Sequence, residues 1–229
     1  MLDLHSIHFS YDEVEILKGI SLQLESGKIH GLAGMNGSGK TTLLQVIYGL
    51  LKPQNGDIRF KGKPIQMQET VYLEAGNYFY HRLTTRETLQ LFSVANPGFE
   101  IDRWLKVFSL SGKEFTEDLS TGMRKKLAIL CALAKDQELM LLDEPFNGLD
   151  MESVMVLHAV LKELRKKGKT ILITSHILET LLENCDSIQT FAEGRILQSY
   201  RPDEYEQMKK DFFVGLEEKL ELSIGALMR

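Results

Sequence analysis

Hydrophobic and polar positions alternate over residues 2–10 and 20–24, the period of a strand with one buried face. Residues 29–33 are apolar enough for a strand buried on both faces, and a glycine-rich turn follows them. The pattern over 41–49 then becomes helical and stops before Pro53, while 56–60 and 70–73 read as further strands. From Thr84 to about Lys135 the period is helical again. Thr84-Thr85-Arg86-Glu87 has the form of a capping box, and Leu89 and Phe92 share one face of the helix it opens. The β/α alternation resumes with a short apolar strand at 139–142, an amphipathic helix over 151–167 ended by Gly168, and a buried strand at 170–174. Residues 188–191 and 196–198 flank Glu193-Gly194, a hairpin signal. The pattern predicts an α/β core over residues 1–200, interrupted by a short helical insertion at about 76–135. Residues 201–229 are amphipathic and read either as a helix or as a partly disordered segment that orders on a partner.

Composition narrows the function classes. The 229 residues are 43% hydrophobic and 26% charged, the profile of a globular protein with a core of its own. A net charge of −5 argues against general nucleic-acid binding, which needs a basic field. No apolar run approaches the roughly 18 residues of a membrane-spanning helix. The start, Met1-Leu2-Asp3-Leu4-His5, lacks the basic and apolar stretches of a signal peptide. Any membrane role must therefore come through a partner. Cys131 and Cys185 form no CxxC pair, and Cys131 lies in the apolar run 127–134 as a buried thiol, which points to a reducing, cytosolic compartment.

Gly34-Met35-Asn36-Gly37-Ser38-Gly39-Lys40-Thr41 fits the phosphate-loop pattern G-x-x-x-x-G-K-[ST] and lies between an apolar strand and a helix. Successive backbone N–H groups must curl around phosphates, which only small residues permit, and a helix N-terminus must point at them. The candidate nucleotide contacts are Asn36, Gly37, Ser38, Gly39, Lys40, Thr41 and Thr42. Lys40 would reach the β- and γ-phosphates and Thr41 would offer its hydroxyl to Mg²⁺. Leu139-Met140-Leu141-Leu142-Asp143-Glu144 supplies the second half: a buried strand delivers Asp143 to the metal, and Glu144 can deprotonate a water.

The next segment selects among phosphate-loop families. No NKxD motif of a GTPase is present. Leu119-Ser120-Thr121-Gly122-Met123-Arg124-Lys125-Lys126 resembles the signature motif of ABC ATPases, usually written LSGGQ. Asn147-Gly148-Leu149-Asp150 is similar to their D-loop and Thr174-Ser175-His176 to their switch histidine. Tyr11, 29 residues before Lys40, is placed like the aromatic that stacks on adenine. The resemblance runs from Leu2 to about Gln198, with the motifs in the family's order. It implies a P-loop NTPase core with an antiparallel β subdomain and an inserted α-helical subdomain. It further implies ATP and Mg²⁺ as cofactors, catalysis by Glu144, His176 and Lys40, and a metal site of Thr41 and Asp143. Ser120 and Gly122 would close over the ATP of a second ATPase subunit. The resemblance also implies an integral membrane transporter subunit as partner, no nucleic acid, and a place on the inner face of the cell membrane.

Three departures stand out. Thr121 replaces the first signature glycine, and Met123 stands where glutamine is usual, a variant that resembles exporter-type subunits. The loop that normally carries a glutamine reads Tyr72-Leu73-Glu74-Ala75-Gly76-Asn77-Tyr78-Phe79-Tyr80, with Ala75 or Glu74 at that position. The consecutive aromatics of this loop are expected to form an exposed cluster that receives a helix of the membrane subunit. Export is the expected direction. The rival reading is a soluble ABC ATPase such as an iron–sulfur assembly factor; long coiled coils or tandem ATPase domains of other relatives are not present.

Overall fold

The computed structural model describes residues 1–211. Two sheets enclose one helix. The first is an antiparallel sheet of β1 (Leu2–Tyr11), β2 (Val14–Leu24), β4 (Asn55–Phe60) and β5 (Lys63–Pro64), in the order β2-β1-β4-β5. The second has the order β10-β9-β3-β8-β7-β6, built from β3 (Ile29–Ala33), β6 (Thr70–Leu73), β7 (Leu139–Asp143), β8 (Thr170–Ser175), β9 (Ser187–Ala192) and β10 (Arg195–Tyr200). Its strands are parallel from β6 to β9, and β10 returns antiparallel after Glu193-Gly194, both at positive φ.

The alternation of apolar residues divides the second sheet's side chains between two cores. Leu139, Leu141 and Leu172 point to α1 (Lys40–Tyr48) and the antiparallel sheet. Met140, Leu142, Ile171 and Ile173 point the other way, onto α4 (Thr121–Ala134), α5 (Met151–Lys166) and α6 (Leu178–Asn184). Helix α1 is the wedge between the sheets: Leu43, Leu44, Val46 and Ile47 are all buried against strands of both. That packing aims its first turn at the ends of β3 and β7.

The helical segment between β6 and β7 is less continuous than its period suggests. It breaks into α2 (Thr85–Phe92), α3 (Ile101–Val107) and α4, interrupted by Asn96-Pro97-Gly98 and by the irregular residues 109–120, which bridge back to Thr84 at Phe115 and hold a short 3-10 turn at Thr116–Asp118. The capping box forms: Thr84 Oγ1 accepts from the Glu87 amide at 3.2 Å and Glu87 Oε2 accepts from the Thr84 amide at 2.8 Å. Leu89 is buried and Phe92 packs against the same core. Two elements escape the pattern. Strand β2 starts at Val14 rather than residue 20 because Asp12, at φ 50°, turns the chain directly back onto Tyr11. Helix α6 is too short for its period to register.

Beyond β10 the chain stays on the body. A turn at Pro202–Glu204 leads into helical residues 205–211, whose Tyr205 and Met208 are buried; the Tyr205 hydroxyl donates to the Cys185 carbonyl at 2.8 Å. The rest of the amphipathic tail, 212–229, lies outside the described residues. Both cysteines are buried, and burial pushes both thiols well above their ordinary range.

Because Leu44 bridges the two sheets, Leu44→Ala should destabilise the protein by about 2–5 kcal/mol, the usual range for a fully buried leucine. Chemical denaturation measures this; a loss below about 1 kcal/mol would contradict α1's role as the wedge.

Candidate functional site

The five buried residues of β3 carry the chain to Gly34, where a side chain has no room: a Cβ would lie 2.3 Å from the Phe191 carbonyl oxygen. Gly37 and Gly39 follow at φ 78° and 107°, conformations that L side chains rarely adopt. The β9–β10 turn holds this loop from behind, with the Gly194 amide donating to the Ser38 carbonyl at 3.0 Å. Gly39 is the N-cap of α1 and offers no side chain to cap it, so the first-turn N–H groups of Lys40, Thr41 and Thr42 remain available to an anion. Asn36 and Gly37 are exposed at the lip of the loop, and Ser38 Oγ is buried without a hydrogen-bond partner among the described residues.

Lys40 is buried. Its ammonium donates to the carbonyls of Gly34 at 2.7 Å and Met35 at 3.1 Å, and stands 4.0 Å from Glu144 Oε1. Burial pulls its pKa down, against the opposing pull of Glu144 and Asp143. At the end of β7, Asp143 has no exposed surface. The Thr41 hydroxyl donates to its Oδ2 at 2.7 Å and the Thr174 hydroxyl to its Oδ1 at 2.6 Å. Glu144 then turns the chain at φ 47°. Its amide donates to Thr174 Oγ1 at 3.0 Å, and its Oε2 lies 3.0 Å from His176 Nδ1. Its Oε1 is buried without a hydrogen-bond partner among the described residues. Lys40, Thr41, Asp143, Glu144 and His176 are thus brought together at one end of the parallel sheet, by α1, β7 and β8.

Ser120 and Gly122 lie at the start of α4. Ser120 is the N-cap of α4, its Oγ accepting from the Met123 amide at 3.3 Å. Gly122 lies so close to the 144–150 loop that a Cβ would be 2.9 Å from the Gly148 carbonyl oxygen. An ion pair between Lys126 and Asp150 at 2.7 Å ties the same helix to the start of α5, and with the Ser153 amide it holds the Asp150 carboxyl well below its ordinary range. These contacts of Ser120 and Gly122 run to α4 and the 144–150 loop. Tyr11 sits at the end of β1, half exposed, with its ring edge-to-face on Phe9 at 4.9 Å.

The loop after β6 has Tyr78 90% and Tyr80 70% exposed, while Phe79 packs against the core of the helical segment. Glu74, Tyr78 and Phe79 border a cleft of about 240 Å³ between β6, α2 and α4, together with Tyr72, Phe92 and Lys135.

Sequence reasoning missed two side chains at this site. Thr174 was legible as the strand residue two before His176, with no role of its own, yet it bonds both Asp143 and Glu144. Lys125 is buried on α4 and donates to the Asp143 carbonyl at 3.3 Å; burial lowers its pKa to about 8. Its signal was a lysine at the start of a run that is buried through Ala134.

The family model described as ABC transporter matches residues 17–147. The chain is 30% identical to the ABC transporter ATP-binding protein YtrB of Bacillus subtilis over 90% of its length and 74% of the relative's. It is also 30% identical to the bacitracin transport ATP-binding protein BcrA of Enterococcus faecalis, covering 93% and 73% respectively. Among solved structures, an ATP-binding subunit of an ABC transporter superposes with a TM-score of 0.84 at 27% identity, covering 92% of this chain and 93% of that one. CbiO1 of Clostridium perfringens, part of the transporter complex cbiONQ, matches with a TM-score of 0.71 at 28% identity over 99% and 98%. A glycine cradle ahead of an uncapped helix, two carboxylates ending a buried strand, and a matching family model over most of that span place this chain in the ABC transporter family, as an ATP-binding subunit and ATPase.

Proposed function

We propose that the chain is the motor of an ABC exporter, hydrolysing Mg²⁺–ATP in sites shared by two ATPase subunits beneath a separate membrane subunit. One observation carries this reading. Glu144 has one carboxylate oxygen 3.0 Å from His176 Nδ1 and the other buried, without a hydrogen-bond partner among the described residues and 4.0 Å from Lys40. A base needs that arrangement: a set direction, and an acceptor turned toward the reacting group.

The residues fit the nucleotide and its metal. Asn36, Gly37, Ser38 and Gly39 with the first turn of α1 cradle the phosphates. Lys40 exchanges the neutral carbonyls of Gly34 and Met35 for charged phosphate oxygens, which makes each hydrogen bond stronger. Thr41 and Asp143 would hold Mg²⁺, which when bound supplies positive charge against the phosphate oxygens. Glu144 takes the proton of the water that attacks the γ-phosphorus, and His176 keeps its carboxylate aimed. Tyr11 offers a ring face to the adenine. Ser120 and Gly122, at the positive end of α4, complete the site of the opposite subunit. Within the chain Ser120 caps its own helix and Gly122 packs on the Gly148 carbonyl, which agrees with this division of labour.

Among the described residues no helix is long and apolar enough to cross a membrane; in this reading the chain docks on its membrane subunit at the inner face of the cell membrane. The exposed Tyr78 and Tyr80 beside the cleft suit a short helix of the membrane subunit, since aromatics give much contact area at small entropic cost. With Ala75 or Glu74 where a glutamine is usual, this aromatic contact carries more of the coupling. Export is favoured by the Thr121-Gly122-Met123 form of the signature, and BcrA is named for bacitracin transport.

Glu144→Gln should keep ATP affinity, slow hydrolysis by ~10²–10⁴, and trap an ATP-bound dimer on gel filtration. Lys40→Ala should instead lose ATP binding. Hydrolysis by Glu144→Gln at the parent rate would remove Glu144 as the base.

Tyr78→Ala should leave the isolated chain's ATPase intact while weakening binding to the membrane subunit by ~1–3 kcal/mol. Pull-down or calorimetric titration with that subunit reads the difference; unchanged affinity would place the docking surface elsewhere.

A further inference from the structure

Lys125 is a cation where the fold provides little water: it is 3% exposed, in the second turn of α4, and begins a run of buried residues through Ala134. Burying an ammonium is costly unless it is paired and hydrogen-bonded. Its hydrogen bond goes to neither carboxylate but to the main-chain oxygen of Asp143, at 3.3 Å. That oxygen belongs to the peptide joining Asp143 to Glu144. The amide of the same peptide donates to Thr174 Oγ1 at 3.0 Å. Both polar atoms of one peptide are therefore held by side chains, one from α4 and one from β8.

The peptide leads into a strained residue. Glu144 sits at φ 47°, and a non-glycine residue in that region costs about 1–3 kcal/mol, persisting only where its surroundings over-determine it. A net change in the torsions flanking this peptide, ψ of Asp143 and φ of Glu144, would relieve the strain and redirect the Glu144 side chain away from His176 and Lys40. Thr174 alone restrains one edge of the plane. A second restraint on the opposite edge stops that change.

We propose that Lys125 is a positioning residue for hydrolysis, holding the carbonyl that precedes Glu144 so that the glutamate stays aimed at the attacking water. The proposal rests on Glu144 being the base. It also joins the two halves of the machinery. Lys125 lies five residues after the N-cap Ser120, about 7.5 Å along the helix axis, so the element that meets the opposite subunit's nucleotide also orients this subunit's glutamate.

The test compares Lys125→Met, similar in shape but without a donor, with Lys125→Gln, which keeps a neutral N–H donor. Steady-state ATPase and thermal unfolding are measured on the full chain. Lys125→Met should lower kcat by about 10–100-fold, the cost of an ångström-scale misplacement, while KM for ATP stays within about 3-fold. Its melting temperature should fall by only a few degrees, the cost of leaving the buried Asp143 carbonyl without a donor. Lys125→Gln should recover most of the lost kcat. Parent-like kcat in Lys125→Met, a change confined to KM or melting temperature, or Lys125→Gln as slow as Lys125→Met would each overturn the proposal. Failure of the underlying reading is distinguished by Glu144→Gln, which would then hydrolyse ATP at the parent rate whatever Lys125 does.

Discussion

The carboxylate of Asp143 is where the architecture converges. It ends β7 with no exposed surface, and a buried carboxylate costs several kcal/mol unless its oxygens are bonded. Thr41 from α1 takes one oxygen and Thr174 from β8 takes the other. Those two bonds lock the first turn of α1 to the end of the parallel sheet and keep β7 in register with β8, where Asp143 pairs with Thr174. The phosphate loop, the following glutamate and the histidine at the end of β8 then have little freedom left. The N-terminal half of α4 is connected to the 144–150 loop by the Lys126–Asp150 ion pair.

Most of this was legible in the sequence because its determinants are local. The glycine cradle, the strand ending in Asp143 and Glu144, the capping box at Thr84 and the N-cap at Ser120 each depend on a few consecutive residues. The comparisons establish the family to which those motifs point. Other features depend on contacts between distant segments, so no local pattern reveals them. Thr174 meets Asp143 across 31 positions, and Gly194 supports Ser38 across 156. Tyr205 enters the body only because the Cys185 carbonyl and an apolar cleft lie where the chain passes. The helical period over 84–135 hid two breaks, because residues 112–116 bond back to residues 83–86 at the start of α2 rather than continuing a helix.

The departures from the usual signature cluster on one route through the molecule. Glu74 and Ala75 lie in the loop after β6, Thr121 and Met123 form the first turn of α4, and Lys125 sits one turn later against Asp143. The loop after β6 borders a cleft shared with α4, through Ala128, Cys131 and Ala132. Changes on that loop and on α4 therefore share one packing environment, and the exposed Tyr78 and Tyr80 stand at its rim.

The account makes each hydrolytic site half of one subunit and half of another: Lys40, Asp143 and Glu144 from one, the α4 N-terminus from its partner. Mixing a Ser120→Arg chain with a Lys40→Ala chain concentrates both defects in one composite site and leaves the other intact. The account predicts ATPase activity in the mixture that neither variant shows alone. A mixture that forms dimers yet stays inactive, or a monomeric Ser120→Arg chain with full activity, would contradict it.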